Sequence, residues 1–502
     1  MRAQATLGVD VGTSSTKGVL VDRGGTVLRS ATREHAVDRP SPGWVEMDGA
    51  IWWQEFAAIS RELLEPGDVE VTAVGVSGMG PCVLLTDEAG TLLRPAILYG
   101  VDTRATRQIA ALTEHLGEAE ILDRCGSALT TQAVGPKLRW IAEHEPDVFA
   151  RAARLFMPAS WLGYRLTGRY GLDFHSASQC TPMFDTEALA WHRPWADPIA
   201  GGIELPPLAW AGDVLGEVSA AAAAETGLPA GVPVITGTID AWSEAISVGA
   251  QAPGDLMLMY GTTMFLVHTV ADRLTTPSMW GTIGALPGTR NLAGGMATSG
   301  AITGWLRELF GSPDYPQLLA EAEASGPGAR GLLMLPYFAG ERTPIMDPDA
   351  RGIVAGLTLR HNRGDLYRAA LEATGMAVRH NVEVMDRAGA DIRRVVAVGG
   401  GTQGGLWTQI VSDITGLAQV IPAKTIGASF GAAFLAAQVE GPVSIDDWNP
   451  AVATCRPDPA LHAAYDELYA LYRELYASTT STVHALAARE QRTARTTTEE
   501  PR

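Results

Sequence analysis

Two short hairpins of the same make, about 250 residues apart, constrain this chain more than any other feature. The first begins with the apolar strand Thr6-Leu7-Gly8-Val9-Asp10-Val11. It turns through the small residues Gly12-Thr13-Ser14-Ser15-Thr16 and returns along Lys17-Gly18-Val19-Leu20-Val21-Asp22. Arg23-Gly24-Gly25 then leads into Thr26-Val27-Leu28, which predicts a three-stranded antiparallel start. The second has the strand Asp255-Leu256-Met257-Leu258-Met259-Tyr260, the turn Gly261-Thr262-Thr263 and the strand Met264-Phe265-Leu266-Val267-His268. Such a spacing is too long for a solenoid and suits two related domains facing each other. On this pair alone, two unrelated hairpins with glycine turns is the plainer alternative.

The length of 502 residues allows at least two domains with substantial cores. Helical periodicity from Ala50 to Leu64, a buried strand at Val71–Val76 and further alternation predict an α/β class. Near the end, the strand Arg393–Val398 runs into Gly399-Gly400-Gly401. Helices are expected over 406–415, 429–437 and 459–487, and the polar tail 491–502 is expected to be disordered. With 38 Lys+Arg against 56 Asp+Glu, the net charge of −18 excludes nucleic acid and anionic membrane surfaces as partners. It does not exclude a phosphate ligand held locally. The four cysteines, Cys82, Cys125, Cys180 and Cys455, form no CxxC pair, so neither a disulfide framework nor a zinc site is expected. Together with an N-terminus that reaches Asp10 before any signal-peptide core, and no membrane-length apolar run, this predicts a cytoplasmic protein.

A Gly-Thr-Ser hairpin turn exposes successive backbone N–H groups and hydroxyls that can wrap phosphate oxygens. Lys17 can add countercharge, and Asp10, at the strand end, can hold a Mg²⁺ directly or through water. A capped turn with solvated hydroxyls is the bland reading. Gly261-Thr262-Thr263 offers the same chemistry without a nearby cation. Asp240, in Thr236-Gly237-Thr238-Ile239-Asp240, can accept a proton from a substrate hydroxyl, or can simply cap a helix. The run Gly399-Gly400-Gly401-Thr402-Gln403-Gly404 fits a dinucleotide fingerprint by letter. It lacks the acid about 20 positions on, so Gly400, Gly401 and Gly404 are read as letting a nucleotide approach the backbone. Gly427-Ala428-Ser429-Phe430-Gly431 fits a nucleophile elbow by letter but follows no strand, and reads better as a helix-packing face.

In their order along the chain, these segments resemble the FGGY carbohydrate kinases, relatives of the actin, Hsp70 and hexokinase ATPases. Further carriers are Pro95-Ala96-Ile97-Leu98-Tyr99, Asp102-Thr103-Arg104, Arg165-Leu166-Thr167-Gly168 and Gly340-Glu341-Arg342-Thr343-Pro344. The resemblance implies two ribonuclease-H-like domains with a cleft between them. Residues 1–248 would carry the sugar side and the first phosphate loop, and residues 249–490 the nucleotide side. It implies ATP and Mg²⁺ as cofactors, a small sugar as substrate and a homodimer as the family-level assembly. Asp240 matches the catalytic base and Asp10 the acid near the metal. Gly12, Thr13, Ser14 and Lys17 match the first phosphate loop, Gly261, Thr262 and Thr263 the second, and Gly300 with Gly400 and Gly401 the nucleotide lining. Met79, Gly80, Asp102, Arg104 and Asp240 would contact the sugar. The likeness runs nearest to the xylulokinase branch, with D-xylulose as the acceptor. Where that branch usually reads Gly-Gln-Met-His, however, this chain reads Gly78-Met79-Gly80-Pro81, and Ala241 follows the base in place of Asn. A kinase for another ketose or a polyol, or an idle sugar- or nucleotide-binding protein on the same fold, are the alternatives.

Overall fold

The computed structural model describes residues 3–498, which divide into two compact units. The first unit takes Met1–Pro253, Thr269–Leu292 and Lys424–Pro450, and the second takes Gly254–His268, Ala293–Ala423 and Ala451–Arg502.

In the first unit, β1 (Ala3–Val11), β2 (Ser15–Asp22) and β3 (Val27–Glu34) form the expected antiparallel start. The helix α1 (Gly49–Leu64) follows. Asp48 caps it by accepting the Ala50 N–H, and Trp52, Phe56, Ile59 and Leu63 bury one face. Each of those side chains contributes about 1.5–3 kcal/mol on leaving water. The strand β4 (Val69–Gly78) pairs in parallel with the other edge of β1. After α2 (Val134–His144), β5 (Val214–Glu217) and β6 (Pro233–Ile235) complete the order β5–β6–β4–β1–β2–β3. The short strand Thr238–Ile239 also pairs with the end of β4, and α3 (Asp240–Ser247) starts directly from it. The helix Ala428–Ala437, buried at every residue, packs on β1 and β4. Its Ser429 is buried against the sheet, so the Gly427–Gly431 run is a packing face and no nucleophile elbow.

The second unit repeats the plan. β7 (Asp255–Tyr260) and β8 (Met264–Val270) are antiparallel, joined by Gly261-Thr262-Thr263. Downstream come α4 (Gly300–Leu309), α5 (Arg363–Arg387), β9 (Arg394–Val398), α6 (Leu406–Thr415), β10 (Gln419–Pro422) and β11 (Ala451–Cys455). As β4 does for β1, β9 pairs in parallel with the free side of β7, followed outward by β10 and β11. The chain ends on α7 (Pro459–Thr498), which runs past Gln491 where the sequence predicts a disordered tail. The last four positions of that tail lie outside the described residues. Among the described residues no helix is long and apolar enough to cross a membrane.

Candidate active site

In the first unit, strand register gathers the predicted polar residues. Asp10 stands opposite Lys17 of β2 on one side and Ser77 of β4 on the other, so three polar side chains share one row at the strand ends. Ser77 donates its hydroxyl to Asp10 Oδ1 at 2.8 Å, while Lys17 is exposed. The following turn is closed by Gly12 N–H on the Ser15 carbonyl (2.9 Å) and by His35 N–H on the Ser14 carbonyl (3.0 Å). The His35 ring bridges the Gly12 carbonyl (3.0 Å) and Glu55 Oε2 (2.9 Å), and Glu55 also accepts the Thr16 hydroxyl (2.6 Å). Thr13 meets the Tyr99 hydroxyl at 2.9 Å.

Asp240 reaches the same place by a sharp crossing. Gly237 has φ +74° and a Cβ there would lie 2.1 Å from the Val76 carbonyl oxygen, so only glycine lets Thr238–Ile239 join the end of β4. Thr238 donates to the buried Asp173 carboxylate at 2.8 Å, fixing the step into α3. Asp240 Oδ1 accepts the Ala241 N–H at 2.7 Å. One turn further along α3 stands Glu244, four residues from Asp240 and thus on the same face. Asp10, Asp240 and Glu244 feel one another. Burial and then the Asp240 charge hold Asp10 well above the usual carboxylate range, and burial does the same to Asp240. Burial and the Asp240 charge push Glu244 up to about 7, with Lys17 pulling the other way. Such a group of carboxylates favours a proton or a cation in its midst.

Asp102 and Arg104, expected among the sugar contacts, are paired with each other. Arg104 has no exposed side-chain surface. Its guanidinium lies 4.2 Å from the Trp44 ring centroid and 5.0 Å from that of Trp140, and it bonds Asp102 and Glu46. Asp102 also accepts the Val45 N–H at 2.6 Å. These internal bonds brace the segment. Met79 is buried, and Gly80 packs against Ile239, the residue before Asp240. Lys137 of α2 is a buried cation that the sequence does not single out. It is 1% exposed, its Nζ has no hydrogen-bond partner among the described residues, and burial brings its pKa down to about 8 against the pull of Cys82 and Asp102.

The second unit gathers its predicted residues around a cavity of about 1080 Å³. Gly261, Thr262, Gly300, Gly400, Gly401 and Gly404 all line it, with Tyr315, Leu319 and Trp407 as apolar walls; Thr263 lies outside this lining. Gly300 N–H bonds the Gly261 carbonyl at 3.0 Å, and a Cβ on Gly300 would come within 2.5 Å of that oxygen. Glycines that bring the backbone to the cavity surface, beside one flat apolar side, fit a polyphosphate joined to a ring. Among the described residues no three His, Cys, Asp or Glu side chains form a cage for a metal.

The profile of the FGGY family of carbohydrate kinases, N-terminal domain, matches residues 5–247, and that of its C-terminal domain matches residues 256–439. The xylulose kinase of Escherichia coli K12 is 30% identical over 488 residues, spanning 94% of this chain and 98% of that protein. The glycerol kinase of Nocardia farcinica is 32% identical over 464 residues, spanning 86% and 89%. Among solved structures, the xylulose kinase from Rhodospirillum rubrum matches with a TM-score of 0.89 at 34% identity, covering 96% of this chain and all of that one.

Proposed function

The chain belongs to the FGGY family of carbohydrate kinases, and from that premise we propose that it transfers the γ-phosphoryl group of ATP to a hydroxyl of a ketopentose, D-xylulose. Asp240 carries the reading. It is the one predicted base that begins a helix beside the ends of β1 and β4. In the reaction the acceptor oxygen attacks the γ-phosphorus, the bond from that phosphorus to the β–γ bridging oxygen breaks, and the acceptor proton passes to Asp240. A loose phosphoryl-transfer transition state asks for little proton removal before attack, so a carboxylate suffices as base. The turn at Gly12–Ser14 and the loop Gly261–Thr263 supply N–H and hydroxyl donors for phosphate oxygens. Gly300, Gly400, Gly401 and Gly404 let the nucleotide lie against the backbone, and Lys17 offsets charge.

The carboxylates also fit Mg²⁺ as this family's nucleotide partner. Mg²⁺ keeps most of its waters and needs only one or two protein carboxylates, so the absence of a three-ligand cage agrees with it. Asp10 and Glu244 would hold it through water, and bound there it would offset polyphosphate charge. Asp240→Asn tests the base directly. In an ADP-release assay with D-xylulose, kcat is expected to fall by on the order of 10²–10⁴ with KM nearly unchanged. Near wild-type turnover would remove Asp240 from the role.

A second acceptor class has its own support. Met79 and Pro81 stand where the xylulokinase branch usually carries Gln and His, and the Nocardia relative is a glycerol kinase. Under this reading a polyol is the acceptor. The same assay decides, since kcat/KM for glycerol would then exceed that for D-xylulose.

A further inference from the structure

Glu341, from the Gly340-Glu341-Arg342-Thr343-Pro344 segment, is 4% exposed and has no part in the chemistry above. Its Oε1 accepts two backbone N–H groups, from Ala297 at 2.7 Å and from Arg342 at 2.8 Å. The two residues that follow hold the two that precede Ala297. Arg342 Nη2 donates to the Met296 carbonyl at 2.7 Å, and the Thr343 hydroxyl accepts the Gly295 N–H at 2.7 Å. Three consecutive residues thus grip three consecutive residues. Just beyond the grip, Ser299 and Ala301 N–H groups bond the Thr262 carbonyl at 3.1 and 3.0 Å, beside the Gly300 bond to Gly261. The clasp therefore ends on the loop that faces the cavity.

The clasp is anchored at its other end. Glu341 and Asp347 exchange backbone hydrogen bonds of 2.8 and 2.9 Å, and Asp347 Oδ2 accepts from Tyr476 and His484 of α7, each at 2.8 Å. We infer that Glu341 is a positioning residue for the nucleotide's phosphate loop, setting Gly261-Thr262 through Ala297 and the 299–301 turn. This rests on the proposed role of Gly261–Thr263 in binding ATP. What the position needs is an acceptor oxygen at the end of a chain of this length, since Oε2 has no hydrogen-bond partner among the described residues. Burial pushes the Glu341 carboxyl up to about 8, which favours the uncharged acid at neutral pH.

Glutamine reproduces that acceptor without charge, alanine removes it, and aspartate withdraws it by one methylene. In steady-state kinetics with ATP and D-xylulose, Glu341→Gln is expected to stay within about threefold of wild type. Glu341→Ala should raise KM for ATP by about tenfold or more, with KM for D-xylulose changed less than about twofold. Glu341→Asp should follow Glu341→Ala, and stands in for it if the alanine variant does not fold. Equal rises in both KM values, or Ala and Asp variants with unchanged KM for ATP, would overturn the inference. So would a Gln variant as impaired as Ala. Thr262→Ala keeps this apart from the loop assignment. If it leaves KM for ATP unchanged, the loop reading fails; if it raises KM while the Glu341 variants do not, only the positioning inference fails. Should wild type use another acceptor than D-xylulose, the same comparison is made with that acceptor.

Discussion

Lys137 stands on a helix face whose neighbours Val134, Leu138 and Ile141 are buried, and its ammonium meets no acceptor among the described residues. A buried charge without a partner weakens the fold, because solvation is lost and nothing replaces it. The unfolded chain keeps this proton up to the ordinary lysine range near ~10.4, whereas the folded protein releases it near 8. Between those values the unfolded state binds more protons, so ligand-free stability rises with pH. Lys137→Met keeps the apolar length and drops the charge. It is expected to stabilise the ligand-free protein at neutral pH by on the order of 1–3 kcal/mol and to flatten that rise. Calorimetric melts over roughly pH 6 to 10 test both effects. A variant less stable than wild type would show that the ammonium contributes favourably to the fold.

At the scale of elements, the hairpins were legible because apolar strands flanking small-residue turns leave little else to fold into. Asp240 was legible because Gly-Thr-Ile-Asp ends a strand. Glu244 was within reach of the same reasoning, since a carboxylate four residues on shares the helix face. The internal partners of Asp102 and Arg104 were not legible, because Val45, Glu46, Trp44 and Trp140 arrive from distant segments that no local pattern joins to them. Glu341 likewise meets Ala297 only through tertiary structure. The element that most sharply ties sequence to site is the crossing at Gly237. Gly237→Ala puts a methyl 2.1 Å from the Val76 carbonyl oxygen at φ +74°. The chain must then either strain or draw Thr238–Ile239 away from β4. The expected cost is on the order of 2–4 kcal/mol in stability, with kcat reduced by about tenfold or more as Asp240 shifts. Thermal melts and turnover read the two effects separately, and a variant unchanged in both would mean the crossing tolerates a Cβ.

For the molecule as a whole, the linear boundary near 248 describes where the first long stretch ends, but the first unit is not continuous in sequence. It takes back Thr269–Leu292 and Lys424–Pro450. The reason lies in the helix Ala428–Ala437, apolar on every side, which therefore needs cover all round and carries no stripe to reveal its partner. It lies so close on the sheet that a Cβ at Gly8 would sit 2.0 Å from the Ser429 carbonyl oxygen. A chain cut after Pro253 keeps β1 to β4 and α3 but leaves that sheet face bare. Fragment 1–253 is therefore expected to hold helical and strand signal in far-UV circular dichroism, lose near-UV signal, bind ANS and melt without a sharp transition. Appending Lys424–Pro450 behind residue 253 through a flexible linker should lower ANS binding and sharpen the melt, since it returns the missing cover. A cooperative melt of fragment 1–253 by itself would mean that the sheet closes without the helix and that the contiguous half is a folding unit.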